Sequence, residues 1–257
     1  MAKVGIQLYT LRDQLENDFL GTLKKVAELG YSGVEFAGYY GHSAEELKSI
    51  LDELGLIALG SHISYERLLT ALDEEIAYNK VLGNYRLIIP WLKDPVSMWN
   101  DIVPDFTRIG EACHAQGVEL LYHNHDFEFT GKIEGRPLFD ALFEAVPEAV
   151  MKVELDTCWV TFAGYDAVQY IGKYEGRLPL IHLKDMVKRD NGSALTVELG
   201  QGIVDLKSIA DAAVKAGVEW LVVEQDECTN PPLESIATSM EWIKRYVQEG
   251  GQLDDIN

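Results

Sequence analysis

One phrase recurs along this chain and constrains its fold more than any other feature: an amphipathic stretch, a glycine, then a short apolar run. It appears as Ala27-Glu28-Leu29-Gly30 before Gly33-Val34-Glu35-Phe36, and as Glu53-Leu54-Gly55 before Leu56-Ile57-Ala58-Leu59. It returns as Val81-Leu82-Gly83 before Arg86-Leu87-Ile88-Ile89, as Ala115-Gln116-Gly117 before Val118-Glu119-Leu120-Leu121-Tyr122, and as Lys215-Ala216-Gly217 before Trp220-Leu221-Val222-Val223. A glycine just past a helix takes the left-handed conformation in which a side chain would clash, so each phrase predicts a helix, its stop and a strand. Ser43-Ala44-Glu45-Glu46 has the spacing of a capping box and predicts a helix start. Val4–Leu8, Met151–Leu155 and Leu178–Ile181 add three strands. The result is eight strands at the roughly 25–35-residue spacing of a βα unit.

Apolar strands alternating with helices imply a parallel sheet covered by helices. Eight such units in 257 residues close naturally into a (β/α)8 TIM barrel, so the expectation is one α/β barrel domain over residues 1–257. An open doubly wound sheet is the competitor. It would carry a glycine-rich phosphate loop after the first strand, where this chain has Leu8-Tyr9-Thr10-Leu11-Arg12. The tail from Gly250-Gly251 to Asn257 is polar and is expected to be ordered only where it docks.

The balance of 22 basic against 42 acidic residues gives a net charge of −20, the wrong sign for a protein that must neutralise nucleic-acid phosphates or lie on an anionic membrane. Cys113, Cys158 and Cys228 are odd in number and widely spaced, which indicates neither a disulfide framework nor a zinc knuckle. The first residues enter a strand without a signal-like apolar run, and the expected location is the reducing cytoplasm.

In a parallel barrel the reactive groups gather where strands end at the C-terminal face. Four of the six histidines, His62, His123, His125 and His182, fall at such predicted ends, while His42 and His114 do not. Glu35, Pro90-Trp91, Glu154-Leu155-Asp156, Lys184-Asp185 and Glu224-Gln225-Asp226 share these positions. Imidazoles with carboxylates and no thiolate form a ligand set suited to one divalent metal ion, Mn²⁺, Mg²⁺, Co²⁺ or Zn²⁺, with positions left for substrate oxygens.

The ordered set Gly5-Ile6-Gln7-Leu8-Tyr9-Thr10, Gly33-Val34-Glu35-Phe36, Tyr122-His123-Asn124-His125-Asp126-Phe127-Glu128-Phe129, His182-Leu183-Lys184-Asp185 and Val223-Glu224 resembles the sugar phosphate isomerase/epimerase family, the xylose isomerase-like TIM barrels. The resemblance runs from Val4 to about Val247. It implies a metal held by residues of strands 5 to 8, of which Asp156, His182 and Glu224 match position by position. Keto-sugar epimerases of this superfamily carry a glutamate within strand 5, where this chain has Tyr122 and His123. Members similar to inosose dehydratases and keto-glycoside lyases have a His-x-His followed by a glutamate on the loop. This chain follows the second pattern, so the resemblance implies Glu128 as fourth ligand.

The same resemblance implies a sugar or keto-sugar isomerase or epimerase that removes a proton beside a carbonyl and passes through an enediolate. Glu128 or Glu224 would act as base, and Lys184 or a histidine such as His125 would stabilise or reprotonate. His62, His123, Trp91, Glu35 and Gln201, the last in the loop Gly200-Gln201-Gly202, are expected to contact the carbohydrate. Tyr9, Phe36 and Trp159 are candidates for an apolar wall, and a homodimer is compatible with the family. No basic cradle for a phosphate is evident, which points to an unphosphorylated sugar. Two alternatives stand beside this reading. If a leaving group lies β to the carbonyl, the same chemistry makes a dehydratase or lyase. A barrel that binds a sugar without catalysis would keep the fold and the polar mouth. The superfamily's DNA-repair endonucleases are disfavoured by the −20 charge.

Overall fold

The computed structural model describes residues 2–254 and shows the eight strands closed into a parallel barrel. They are β1 (Lys3–Gln7), β2 (Gly33–Phe36), β3 (Ile57–His62), β4 (Arg86–Ile89), β5 (Glu119–His123), β6 (Lys152–Asp156), β7 (Leu180–Leu183) and β8 (Trp220–Val223). Each pairs in parallel with its neighbours in sequence, and β8 closes the ring on β1. The open-sheet alternative is excluded. Met1 and residues 255–257, the end of the polar tail, lie outside the described residues; of the tail before them, Leu253 bridges Ala2 beside β1 and is buried.

The five helix-stopping glycines behave as their spacing predicts: Gly30, Gly55, Gly83, Gly117 and Gly217 all have positive φ, from 68° at Gly55 to 103° at Gly30. Ser43 and Glu46 form the reciprocal capping box that opens the helix Ala44–Leu54. Strand β7 starts two residues later than the sequence suggests. Pro179 has no N–H to give a ladder, and its carbonyl accepts from the N–H groups of Glu219 and Trp220, so pairing begins at Leu180. That shift carries His182 from the strand's end into its interior.

Two apolar layers hold the molecule. The larger lies between barrel and helices; the smaller fills the barrel floor with Leu59, Ile88, Leu121, Leu180, Trp220 and Val222. Trp220 fits because β1 and β2 present glycine to it. A Cβ on Gly33 would come within 2.9 Å of the Trp220 ring, and one on Gly5 would reach 2.2 Å from Leu59. Above this floor the inward side chains turn polar, following the two-residue period of each strand. Gln7, Glu35, His123, Glu154 and His182 come first, then Asp156, Lys184 and Glu224, all buried. No helix among the described residues is long and apolar enough to cross a membrane.

Candidate active site

The strand register builds the centre of the mouth. Asp156 of β6 pairs with His182 of β7, and His182 pairs with Val222 of β8, two residues before Glu224. Asp156 is held in place twice over. Its backbone N–H donates to Oδ1 of the buried Asn124 (3.0 Å), and its own Oδ1 accepts from the N–H groups of Cys158 and Trp159, capping the short helix Thr157–Phe162. Its other oxygen, Oδ2, is thereby left to face the Lys184 ammonium at 2.8 Å. Lys184 also lies 2.6 Å from Glu224 and 3.1 Å from Asp226.

The ring of His182 bridges two acids, with Nδ1 2.7 Å from Glu224 Oε2 and Nε2 2.7 Å from Glu35 Oε2. His123 places Nδ1 2.9 Å from Glu154 Oε2 and Nε2 3.7 Å from Asp156 Oδ2. His62 sets Nε2 2.9 Å from Glu154 and 3.2 Å from Glu35. Gln7 donates to Glu35 at 2.7 Å.

This charge density sets the protonation pattern. Burial pushes the Glu35 carboxyl up, but His62 and His182 outweigh it and hold the group well below the usual range. Burial lowers His182 and Lys184, but the surrounding carboxylates raise both well above their ordinary values. His62 rises to about 9, because Glu35 and Glu154 overcome the opposing effect of burial. His123 has no such surplus; burial and the neighbouring His182 and His62 keep it well below 6.5. His125, depressed by burial and then by Lys184 to about 3, is neutral at neutral pH. Asp226 is pushed up to about 6 by burial, although Lys184 opposes the rise.

Over this centre opens a cavity of about 670 Å³, lined by Tyr9, Arg12, His62, Pro90, Trp91, His123, His125, Trp159, Glu224 and Asp226 among others. It has the size and mixed lining of a small-molecule site. Trp91 and Tyr9 stand half exposed at its rim, and the Arg12 guanidinium stacks on the Tyr9 ring at 4.2 Å.

The donor set suits a divalent ion. One ligand atom each from His123, Asp156, His182 and Glu224 lies within 4.8 Å of all the others, and all four residues are buried. Hard oxygens with borderline nitrogens and no sulfur match the metals expected. Three of the four residues are those the sequence pointed to. Glu128 stands elsewhere: Tyr122 donates its hydroxyl to Glu128 Oε1 (2.6 Å), and the His125 N–H donates to Oε2 (2.8 Å). Tyr122 points out of the barrel towards Phe106 and Phe143, opposite to Leu121 and His123, and Glu128 follows it to the outer side of the sheet. The expected place of Glu128 beside Asp156, His182 and Glu224 is therefore corrected: His123 lies with those three instead, and His62, His123, Glu154 and His182 form a second group as close. Gln201 is also corrected. It is exposed and outside the cavity lining, because its loop serves Asp185, whose carboxylate accepts from the N–H groups of Gly200, Gly202 and Val204. Glu35 lies beneath the cavity and binds histidines, and Phe36 is fully buried in the outer core. His62, His123, His125 and Trp91 do line the cavity, as do Tyr9 and Trp159.

The sequence places Glu154 and Asp226 at strand ends, with a structural part expected for Glu154 and none named for Asp226, and it assigns nothing to Arg12. For the first two a signal exists: Glu154 precedes Asp156 by two, and Asp226 follows Glu224 by two, so strand alternation aims each pair to one side. Arg12 has none, since its place depends on the turn Leu8–Leu11 folding back over the mouth.

An eight-stranded parallel barrel with imidazoles and carboxylates converging at its C-terminal mouth defines the class: a (β/α)8 barrel of the kind that holds small polar ligands at the strand ends. Within that class, this chain belongs to the xylose isomerase-like TIM barrel family, whose profile matches residues 23–246. Among curated relatives it is similar to an inosose dehydratase of Clostridium perfringens (strain 13 / Type A), 23% identical over 89% of this chain and 90% of the relative. It is also similar to an inosose dehydratase of Geobacillus thermodenitrificans (strain NG80-2), 28% identical over 57% of this chain and 54% of that protein's length. Among solved structures it resembles a sugar phosphate isomerase/epimerase from Parabacteroides distasonis ATCC 8503, with TM-score 0.80, 20% identity and coverage of 95% and 98%. An L-ribulose 3-epimerase aligns with TM-score 0.70 and 16% identity over 97% and 95% of the two chains.

Proposed function

We propose that this protein is a metal-dependent enzyme that removes the proton beside the carbonyl of a small, unphosphorylated keto-sugar or keto-cyclitol, through an enediolate. The observation that carries this is the convergence of His123, Asp156, His182 and Glu224 on one point beneath a sugar-sized cavity. A divalent ion held there would polarise the substrate's carbonyl and hydroxyl oxygens.

The chain's own residues supply the rest. His125, which lines the cavity with Nδ1 unpartnered, is the group placed to carry the proton. Lys184, kept charged by Asp156, Asp226 and Glu224, lies outside the cavity lining and holds those carboxylates in place. Trp91, Tyr9 and Trp159 cover the apolar face of the ring and exclude water. His62 meets a hydroxyl.

The fate of the enediolate divides two readings. Isomerisation or epimerisation returns the proton to carbon; dehydration expels a leaving group from the β carbon. The absence of a carboxylate from the strand-5 ligand position, together with relatives named inosose dehydratase, supports elimination as a full alternative to the isomerase reading.

The test is to incubate the metal-loaded protein with inosose and with keto-sugars in heavy water. Deuterium entering the carbon beside the carbonyl without near-ultraviolet absorbance supports isomerisation or epimerisation, whereas growth of an absorbing unsaturated ketone supports elimination. If tight ligand binding occurs with neither, the sugar-binding barrel replaces both.

A further inference from the structure

Resting on the proposed function, we infer that Arg12 binds a carboxylate on the substrate, so that the preferred ligand is a keto-sugar acid rather than a neutral sugar. Among the described residues, Arg12 is the one arginine or lysine in the lining of the cavity. It opens the short helix Arg12–Asn17, entered from the turn Leu8–Leu11. An acid one helical turn along is an ordinary partner for such a side chain, and Glu16 stands at that spacing. Arg12 does not take it. Its Nη1 donates to the Tyr9 carbonyl at 2.8 Å and its Nη2 to the Asp226 carbonyl at 3.3 Å. The guanidinium lies against the Tyr9 ring, 4.2 Å from the ring centre. These contacts fix the plane of the group without neutralising it.

The other charges of the wall are already matched. Glu224 and Asp226 face Lys184 at 2.6 and 3.1 Å, Glu227 faces Arg189 at 2.6 Å, and His62 faces Glu154 at 2.9 Å. Among the described residues no carboxylate pairs with Arg12, so its counter-charge is left for a ligand to bring. A guanidinium presents five N–H donors in a rigid fork. Two go to main-chain carbonyls here, and the rest suit the two oxygens of a carboxylate. Asp226 ties this group to the centre of the mouth, because its carbonyl holds Arg12 while its carboxylate holds Lys184. The anion would therefore sit on the wall between the ends of β1 and β8. One guanidinium balances the single charge of a carboxylate but not the roughly doubled charge of a phosphate ester.

Calorimetric titration of the purified protein tests this with D-fructose, D-fructuronate and D-fructose 6-phosphate, which differ only in the group at C6. Wild type should bind the uronate on the order of 10–100-fold more tightly than fructose, the worth of a charged hydrogen bond. Arg12→Met should bring the two to near parity. Arg12→Lys, which keeps the charge and loses the fork, should lie between. Equal or absent binding of the two by wild type, or a preference that survives Arg12→Met, overturns the inference. A variant that loses both sugars equally also overturns it, since Arg12 would then brace the mouth instead of meeting a charge. Tighter binding of the phosphate than of the uronate overturns the carboxylate assignment. The proposed function is judged separately: deuterium uptake from inosose in heavy water upholds it where the uronate is not preferred, and a uronate bound without any reaction strikes the chemistry but not the role of Arg12.

Discussion

Lys184 Nζ lies 2.6 Å from Glu224 Oε2, and both side chains are almost wholly withdrawn from solvent. An ammonium is held at this depth only by the carboxylates around it. Lys184→Met therefore leaves Asp156, Glu224 and Asp226 facing one another, and breaking a buried pair from one side costs about 3–5 kcal/mol. Urea unfolding of metal-free protein should show that loss. Lys184→Met combined with Asp226→Asn should recover part of it, and additive losses would show that the two residues are not coupled.

Metal content should reflect the four converging ligands. Plasma mass spectrometry on native-purified protein should find near one equivalent of Mn, Co, Zn or Mg, lost in both Asp156→Asn and His182→Ala. Chelation should lower the thermal midpoint of the wild type, because an ion bound only by the folded state stabilises it. No uptake, even from excess Mn²⁺, would sink the proposed mechanism.

Glu128 gives a pH signature. Burial, only partly offset by the hydrogen bonds from Tyr122 and His125, raises its pKa from 4.5 to about 7. Between those values the folded state holds more protons than the unfolded one, so stability falls as pH rises through that window. Glu128→Gln cannot ionise and escapes the decline, which is worth on the order of 3 kcal/mol. Thermal melts at pH 5 and pH 8 should show the variant gaining on the wild type at the higher pH. A pH-independent difference would contradict the buried placement.

Asp185 accepts from four backbone N–H groups, those of Met186, Gly200, Gly202 and Val204. Asp185→Ala should raise hydrogen exchange across residues 186–204 and cost about 1.5–3 kcal/mol for the first charged hydrogen bond lost. Unchanged exchange in that segment would refute the anchoring role.

At the rim, Trp91→Ala should raise KM by about 3–10-fold with little change in kcat, the worth of one aromatic contact to a sugar face. A fall in kcat alone would place Trp91 in the chemistry instead.

The architecture was legible because glycine stops and strand alternation are local signals; Gly30, Gly55 and Gly83 announce their helix ends in the sequence itself. Asp156, His182 and Glu224 were legible for a related reason, since each sits where an inward-facing strand position meets the mouth. Glu128 was not. It lies in the one-turn helix Phe127–Thr130, too short to show a period, and its partner Tyr122 could be placed outside the barrel only by counting alternation back from His123. Gln201 misled because loop glycines suggest room for a ligand, whereas here they admit the Asp185 carboxylate: a Cβ on Gly202 would lie 2.2 Å from its Oδ1.

The floor built around Trp220 closes the barrel beneath the polar groups, and the cavity above them opens past Trp91 and Tyr9. Under the proposed function, an ion held by these groups would be covered by a sugar seated above it. Saturating ligand should then slow the escape of the ion to a chelator, and an unchanged rate of loss would show that the ligand does not sit over it.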